Sequence, residues 1–412
     1  MGFALPSRWF TLPTKKAEVD AHWLHASRPT KGDWLSKTKA KIKQKSFLNY
    51  FSLTFHQLKT FEFHAPLYHI GIKTQDKLEM IMMNKLIEEF PHQLLKALKI
   101  GEQVQLRKHT APIHHILVIG MGGSGIGANF VADFTKDSRM IPMLISKGYE
   151  TPPFIAENSL VICSSYSGNT EETLTGLSYA LSKGAKIVCI SSAGRLINLA
   201  KEEGLDYIQM PNSEAPPRAC LGYSLVQQIF ILKHFNQATQ EHLEQIKKAA
   251  YLIQKEEKSM KIRANRIARF LVGKFPIIYT TERTPSVAVR LRQQLNENAK
   301  ILCSHHTIPE MNHNELVGWR KQPVKFAVLL LRTKNDYYKN ELRAQISKKI
   351  ISNFTDTLID VVAKGESLIE QSLYLVNLSD WISWELSKLR QVDSIEVKVI
   401  DQLKSELAKV HS

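Results

Sequence analysis

No apolar run in the 412-residue chain approaches the length of a membrane span, so none of its sequence reads as a transmembrane helix. The segment Gly2 to Leu12 has neither a continuous apolar core nor a secretory cleavage site, so no leader is expected there. Cysteine is scarce. Cys163, Cys189, Cys220 and Cys303 form no CxxC pair and stand at no metal-ligand spacing, which excludes a disulfide framework and a cysteine-rich zinc site. Cys163 and Cys189 fall inside apolar runs, and the set reads as buried, reduced thiols of a cytoplasmic protein. Acidic residues are outnumbered, 39 against 55 lysines and arginines, leaving a net charge of +16. That balance suits an anionic small molecule or nucleic acid. The positive charge is scattered, however, and no nucleic-acid motif accompanies it. The densest basic run, Lys37 to Lys45, reads as a solvated segment, so no nucleic-acid partner is expected.

The composition, 43% apolar and 23% charged, is that of a globular protein with sizeable cores. Residues 1–82 differ from the rest. Trp9, Trp23 and Trp34 follow no helical or strand period, and Arg28-Pro-Thr-Lys-Gly-Asp33 interrupts the segment. It reads as an N-terminal extension, either an over-long gene start or a poorly ordered basic arm, and a chain beginning at Met83 is expected to fold. From Asn84 a helical stripe begins with Leu86, Phe90, Leu94 and Leu98, broken at Pro91.

Strands and helices alternate from His114 onward. Strands are predicted at His115–Ile119, Ile141–Ile145, Ser159–Cys163, Lys186–Ile190 and Tyr207–Met210, followed by helices at Ser224–Phe235 and Gln237–Lys258. A second round has strands at Phe275–Tyr279, Lys300–Ser304, Val324–Leu331 and Thr357–Val362, with helices at Val287–Asn296, Tyr337–Ile350, Ser367–Arg390 and Val397–Val410. Strands separated by helices of this length predict an α/β fold with two doubly wound parallel sheets, one in residues 83–258 and one in 259–412.

Two loops carry the chemistry of the first half. Ser164-Ser-Tyr-Ser-Gly-Asn-Thr170 joins a strand to a helix, so Ser165, Ser167 and Thr170 place hydroxyls beside free backbone N–H groups, an arrangement that binds phosphate. Gly120-Met-Gly-Gly-Ser-Gly125 follows the first strand and satisfies GxGxxG. A dinucleotide site also needs an acid at the end of the next strand, and none appears before Glu150. The glycines instead allow close backbone approach to a ligand, and Ser124 adds a hydroxyl. A structural tight turn is the plainer alternative for this loop. In the second half, Glu297 and His313 supply the carboxylate and imidazole that proton transfer on a sugar needs. His305 and His306 lack a compact ligand set, so no metal site is expected.

Together the elements Gly-Met-Gly-Gly-Ser-Gly at 120–125, Ser-Tyr-Ser-Gly-Asn-Thr at 165–170, Pro-Arg-Ala-Cys-Leu-Gly-Tyr at 217–223, Asn-Glu-Asn-Ala-Lys at 296–300 and Asn-His-Asn-Glu at 312–315 resemble the sugar isomerase (SIS) domain. More narrowly, they resemble the bifunctional phosphoglucose/phosphomannose isomerases of archaea and bacteria. The resemblance runs from about residue 83 to the C-terminus and leaves residues 1–79 untouched. It implies two SIS subdomains built as αβα sandwiches, a homodimer with shared active sites, and neither metal nor organic cofactor. The implied activity is interconversion of glucose 6-phosphate, and of mannose 6-phosphate, with fructose 6-phosphate through an enediol.

The resemblance also assigns roles. Ser124, Ser165, Ser167 and Thr170 match the hydroxyls that bind the phosphate of a hexose 6-phosphate. Arg218 matches an arginine that stabilises the enediolate, and Glu297 the base that carries the proton between C2 and C1. His313 matches a histidine contributed by the neighbouring subunit for ring opening, assisted by a lysine matched by Lys404. Read alone, these four are a surface arginine after a proline turn, a helix-end carboxylate, a loop histidine and a helix-surface lysine. One departure concerns a family threonine near the C-terminus that helps admit mannose phosphate. Residues 391–412 contain no threonine, and Ser394 stands nearby as a substitute. Two other classes remain open from the residues: a non-catalytic SIS module that senses a sugar phosphate, and a nicotinamide-dependent oxidoreductase.

Overall fold

The structure, a computed structural model, describes residues 82–321 and 323–410. The expectations for residues 1–81 therefore lie outside the described residues. The described chain opens with α1 (Met83–Glu88) and α2 (Phe90–Gln103), and the break between them falls at Glu89, two residues before the Pro91 that sequence suggests. Pro91 sits in the first turn of α2, where its missing N–H leaves no hydrogen bond unmade. Met83, Ile87, Phe90 and Leu94 are all buried.

The first sheet has β1 (His115–Ile119), β2 (Met143–Ser146), β3 (Ser159–Ser164), β4 (Lys186–Ser191) and β5 (Asp206–Gln209) in the order β2-β1-β3-β4-β5, all parallel. Its central strands are short runs of β-branched and leucine residues, buried on both faces as a parallel sheet requires. Alternation sends Ile116, Val118, Leu160 and Ile162 to one core and Leu117, Ile119, Val161 and Cys163 to the other. Cys163 and Cys189 are register partners across β3 and β4 and, with Cys220, are buried as expected, whereas Cys303 is only partly buried. The intervening helices are α3 (Gly122–Thr135), α4 (Glu171–Ser182) and α5 (Arg195–Glu202), and α6 (Leu221–His234) follows. The glycine-rich segment is not a turn ahead of α3, because Gly122 already opens the helix.

The second sheet repeats the winding with four strands. β6 (Phe275–Thr281), β7 (Ser304–Ile308), β8 (Phe326–Arg332) and β9 (Leu358–Val362) lie parallel in the order β7-β6-β8-β9. The strand expected at Lys300–Ser304 lies four residues later, at Ser304–Ile308. Lys300 has a φ of 54°, the Ile301 N–H bonds back to the Leu295 carbonyl, and Leu302 is 78% exposed. Residues 299–303 therefore reverse the chain out of a helix, and pairing starts only at Ser304. As an edge strand, β7 does not need the apolar residues that drew the strand reading to Ile301–Cys303.

A 32-residue helix, α7 (Gln240–Leu271), runs well past Lys258 and packs on α10 (Leu368–Leu389). The remaining helices are α8 (Pro285–Glu297), α9 (Tyr338–Ile351) and α11 (Lys398–Val410). One apolar core joins the inner faces of both sheets through α3, α6, α7, α8 and α10, so helices from the two halves pack against each other between the sheets. No helix among the described residues is long and apolar enough to cross a membrane.

Candidate active site

Strand order reverses between β1 and β3. The loops leaving their carboxyl ends diverge there, the place where open α/β sheets bind ligands. Those loops are the two that sequence singled out, and they touch: a Cβ on Gly120 would lie 2.8 Å from the Ser164 carbonyl oxygen. The loop from Ser165 to Thr170 is braced internally. Ser165 Oγ lies 2.8 Å from Thr170 Oγ1 and accepts from the Gly168 N–H at 3.1 Å. Gly168 adopts a φ of 71°, which favours glycine. Thr170 precedes α4 as its N-cap residue, so the loop ends at the positive end of a helix. Ser124 lies in the first turn of α3 and makes no side-chain hydrogen bond among the described residues. The Tyr166 hydroxyl is turned away onto Pro211 and Ser213, and burial pushes its pKa up to about 12.

Arg218 enters from a 3₁₀ turn, Pro217–Cys220, that abuts α3. The glycine at 123 permits this, since a Cβ there would lie 2.6 Å from the Pro217 carbonyl oxygen. The guanidinium is 4% exposed and donates in four directions. Nε bonds Asn298 Oδ1 at 2.9 Å, and NH1 bonds Glu297 Oε2 at 3.3 Å. NH2 bonds the carbonyls of Ser394 at 2.7 Å and Ile395 at 2.9 Å. Burial lowers its pKa from the usual arginine value, and the Glu297 charge opposes that shift. Glu297 is the last residue of α8, with its side chain 30% exposed. Lys300 ties the same corner together, donating from Nζ to the Glu297 carbonyl at 2.5 Å and the Glu396 carbonyl at 2.8 Å.

Arg218 and Glu297, 79 residues apart, are thus in direct contact beside the hydroxyl loops. His313 and Lys404 are elsewhere. His313 is exposed on a 3₁₀ turn, Glu310–His313, and Lys404 is exposed on α11; neither makes a side-chain hydrogen bond or ion pair among the described residues. The neighbours of His313 are committed to other bonds: Asn312 donates to Ser347, and Glu315 accepts from Tyr279 and pairs with His306. Sequence reasoning gave no role to Asn298 or Lys300, although both lie in the Asn-Glu-Asn-Ala-Lys motif. The carbonyls of Ser394 and Ile395 left no signal either, because any residue can supply them.

The rival dinucleotide reading meets a lysine. β2 ends at Ser146, and the following Lys147 reaches over α3 to bond Asn129, where a ribose-binding acid would be needed.

The family model for the bacterial phosphoglucose isomerase C-terminal SIS domain matches residues 260–407, and that for the SIS domain matches residues 111–231. A bifunctional phosphoglucose/phosphomannose isomerase of Aquifex aeolicus is 36% identical over 328 residues, spanning 79% of this chain and 98% of that protein. This chain belongs to the bifunctional phosphoglucose/phosphomannose isomerase family. Another relative of that name, from Caldicellulosiruptor bescii, is 33% identical over 342 residues, spanning 80% of this chain and 99% of its own length. Among solved structures, the C-terminal domain of glucosamine-fructose-6-phosphate aminotransferase from Francisella tularensis superimposes with a TM-score of 0.60. It shares 15% identity and covers 78% of this chain and all of its own, so the likeness is one of fold. As a member of the isomerase family, the chain is an enzyme built on two SIS subdomains.

Proposed function

We propose that this isomerase interconverts glucose 6-phosphate, and mannose 6-phosphate, with fructose 6-phosphate through an enediol. The observation that carries the proposal is the 3.3 Å contact between the Arg218 guanidinium and the Glu297 carboxylate beside the loops at 120–125 and 165–170. The hydroxyls of Ser124, Ser165, Ser167 and Thr170, with the N-termini of α3 and α4 beside them, bind the phosphate and fix the far end of the sugar. Glu297 removes the C2 proton and returns it at C1. Arg218 stays charged at any physiological pH and stabilises the negative charge that develops on the enediolate oxygen. A module that only sensed a sugar phosphate would need the hydroxyl loops alone, so the arginine–carboxylate pair favours catalysis.

Ring opening falls to His313 of the partner subunit in a homodimer. The exposure of His313, away from Glu297 of its own chain, supports that assignment. Lys404 assists from α11, whose exposed side chains leave it accessible to a second chain. Ser394 supports activity on both epimers in place of the missing threonine, since its carbonyl lies on Arg218. The halves divide near residue 258, and the enzyme works in the cytoplasm without metal or organic cofactor.

The direct test is Glu297→Gln, which keeps shape and removes basicity. A coupled assay for fructose 6-phosphate should show a rate lower by roughly 100- to 10,000-fold. Near-normal turnover would sink the reading.

A further inference from the structure

Arg218 is gripped almost wholly by neutral oxygens. Three of its four bonds go to the Asn298 amide oxygen and the carbonyls of Ser394 and Ile395. Its one carboxylate contact is Glu297. Asp380 also approaches through α10, but Arg290 occupies both of its oxygens, with Nε to Oδ1 at 3.1 Å and NH2 to Oδ2 at 2.9 Å. Arg290 NH2 also donates to the Arg218 carbonyl at 2.8 Å, which fixes the backbone beneath the guanidinium.

The Asn298 amide has only one workable orientation. Ser383 Oγ donates its proton to the Asp380 carbonyl at 2.7 Å, so its oxygen must accept from Asn298 Nδ2 at 2.9 Å. That turns Asn298 Oδ1 onto Arg218 Nε. Asn298 and Ser383 are both fully buried, so water cannot substitute for either. Asn298 directly follows Glu297 at the end of α8, and its bond to Arg218 therefore sets how guanidinium and base face each other.

We infer that Asn298, held by Ser383, is a positioning residue: it aims Arg218 with a neutral acceptor and leaves the guanidinium charge free for the anion that forms during isomerisation. An aspartate would fit the same space and accept the same bond, but it would spend part of that charge before substrate arrives. The inference rests on the proposed roles of Arg218 and Glu297. The charged groups around them are Arg290 on α8, Asp380 on α10, Lys300 after α8, and Asp393 and Glu396 in the connector to α11.

The test uses Asn298→Ala, Asn298→Asp and Ser383→Ala in the full chain, beside Glu297→Gln, with kcat and KM for glucose 6-phosphate measured from pH 5 to 9. Asn298→Ala should lower kcat about 10- to 100-fold, the equivalent of one hydrogen bond to a charged group, with KM within about twofold. Asn298→Asp should lower kcat and move the acid limb of the pH profile up by about one unit, since a second carboxylate opposes ionisation of the base. A residue that merely packed would show its loss as lowered stability and not as a fall in kcat at unchanged KM. Ser383→Ala leaves Asn298 in place and should lower kcat about three- to tenfold at unchanged KM. If the Asn298 variants do not fold, Ser383→Ala decides alone. An unmoved acid limb in Asn298→Asp, or wild-type kcat in Ser383→Ala, overturns the inference. Activity retained by Glu297→Gln would instead overturn the reading beneath it.

Discussion

Gly168→Ala tests the proposed phosphate loop at its tightest point. The backbone there has a φ of 71°, and an alanine Cβ would lie 1.8 Å from the Ala193 carbonyl oxygen and 2.8 Å from Ser191 Oγ. An L-residue in this conformation costs roughly 1–2 kcal/mol before any clash is counted. Relieving the clash needs a movement of about 1 Å, and neither side is free to yield. The Ala193 carbonyl accepts from Ser191 Oγ at 2.7 Å, while the Gly168 carbonyl accepts from the Leu196 N–H at 2.9 Å. The Gly168 N–H is bonded to Ser165 Oγ, itself paired with Thr170, so displacement of Gly168 passes straight to two proposed phosphate ligands. A misplacement of about 1 Å in a binding site can cost on the order of 100-fold. Expected are a KM for glucose 6-phosphate and an inhibition constant for inorganic phosphate each raised at least about 10-fold, with stability lower by about 2–4 kcal/mol in thermal melts. Gly148→Ala is the control, because its Cβ would meet nothing within 4 Å. Wild-type KM and phosphate inhibition in Gly168→Ala would refute the assignment of this loop to phosphate.

Changing Ser167 and Thr170 together to alanine should raise KM and weaken inhibition by inorganic phosphate in parallel, each lost bond to a charged group being worth about 1.5–3 kcal/mol; an unchanged KM would put the phosphate elsewhere. His313→Ala and Glu297→Gln should each be nearly inactive alone and regain part of the activity after subunit exchange, because one mixed site then holds both native groups. Proven heterodimers without rescue would mean that each site is built from one chain. Asp133 accepts from the Ser286 N–H at the start of α8, yet burial pushes its pKa from 3.8 to about 6. The folded chain therefore holds a proton that the unfolded chain releases between about pH 4 and 6. That stabilisation is complete below the lower value and is lost as pH rises through the upper one. Asp133→Asn should gain about 1–3 kcal/mol at pH 8 and nothing at pH 4 in urea titrations; equal gains at both would show that the carboxyl is not perturbed.

Sequence alone determined the parallel α/β architecture, because doubly buried strands must be continuous apolar runs and their crossovers must be helical. It also located the hydroxyl loop after β3, where serines, a glycine and a threonine serve backbone geometry and carry the proposed anion site. It misread Ile301–Cys303, where an apolar run is spent on a chain reversal whose cause, the positive φ of Lys300, has no compositional mark. Pattern likewise could not bring Arg218 to Glu297, since their contact depends on α3, α8 and α10 sharing one core across both sheets. Nor could it find the connector that holds Arg218. Its contribution there is two backbone carbonyls, groups that every residue carries and that only the folded chain aims.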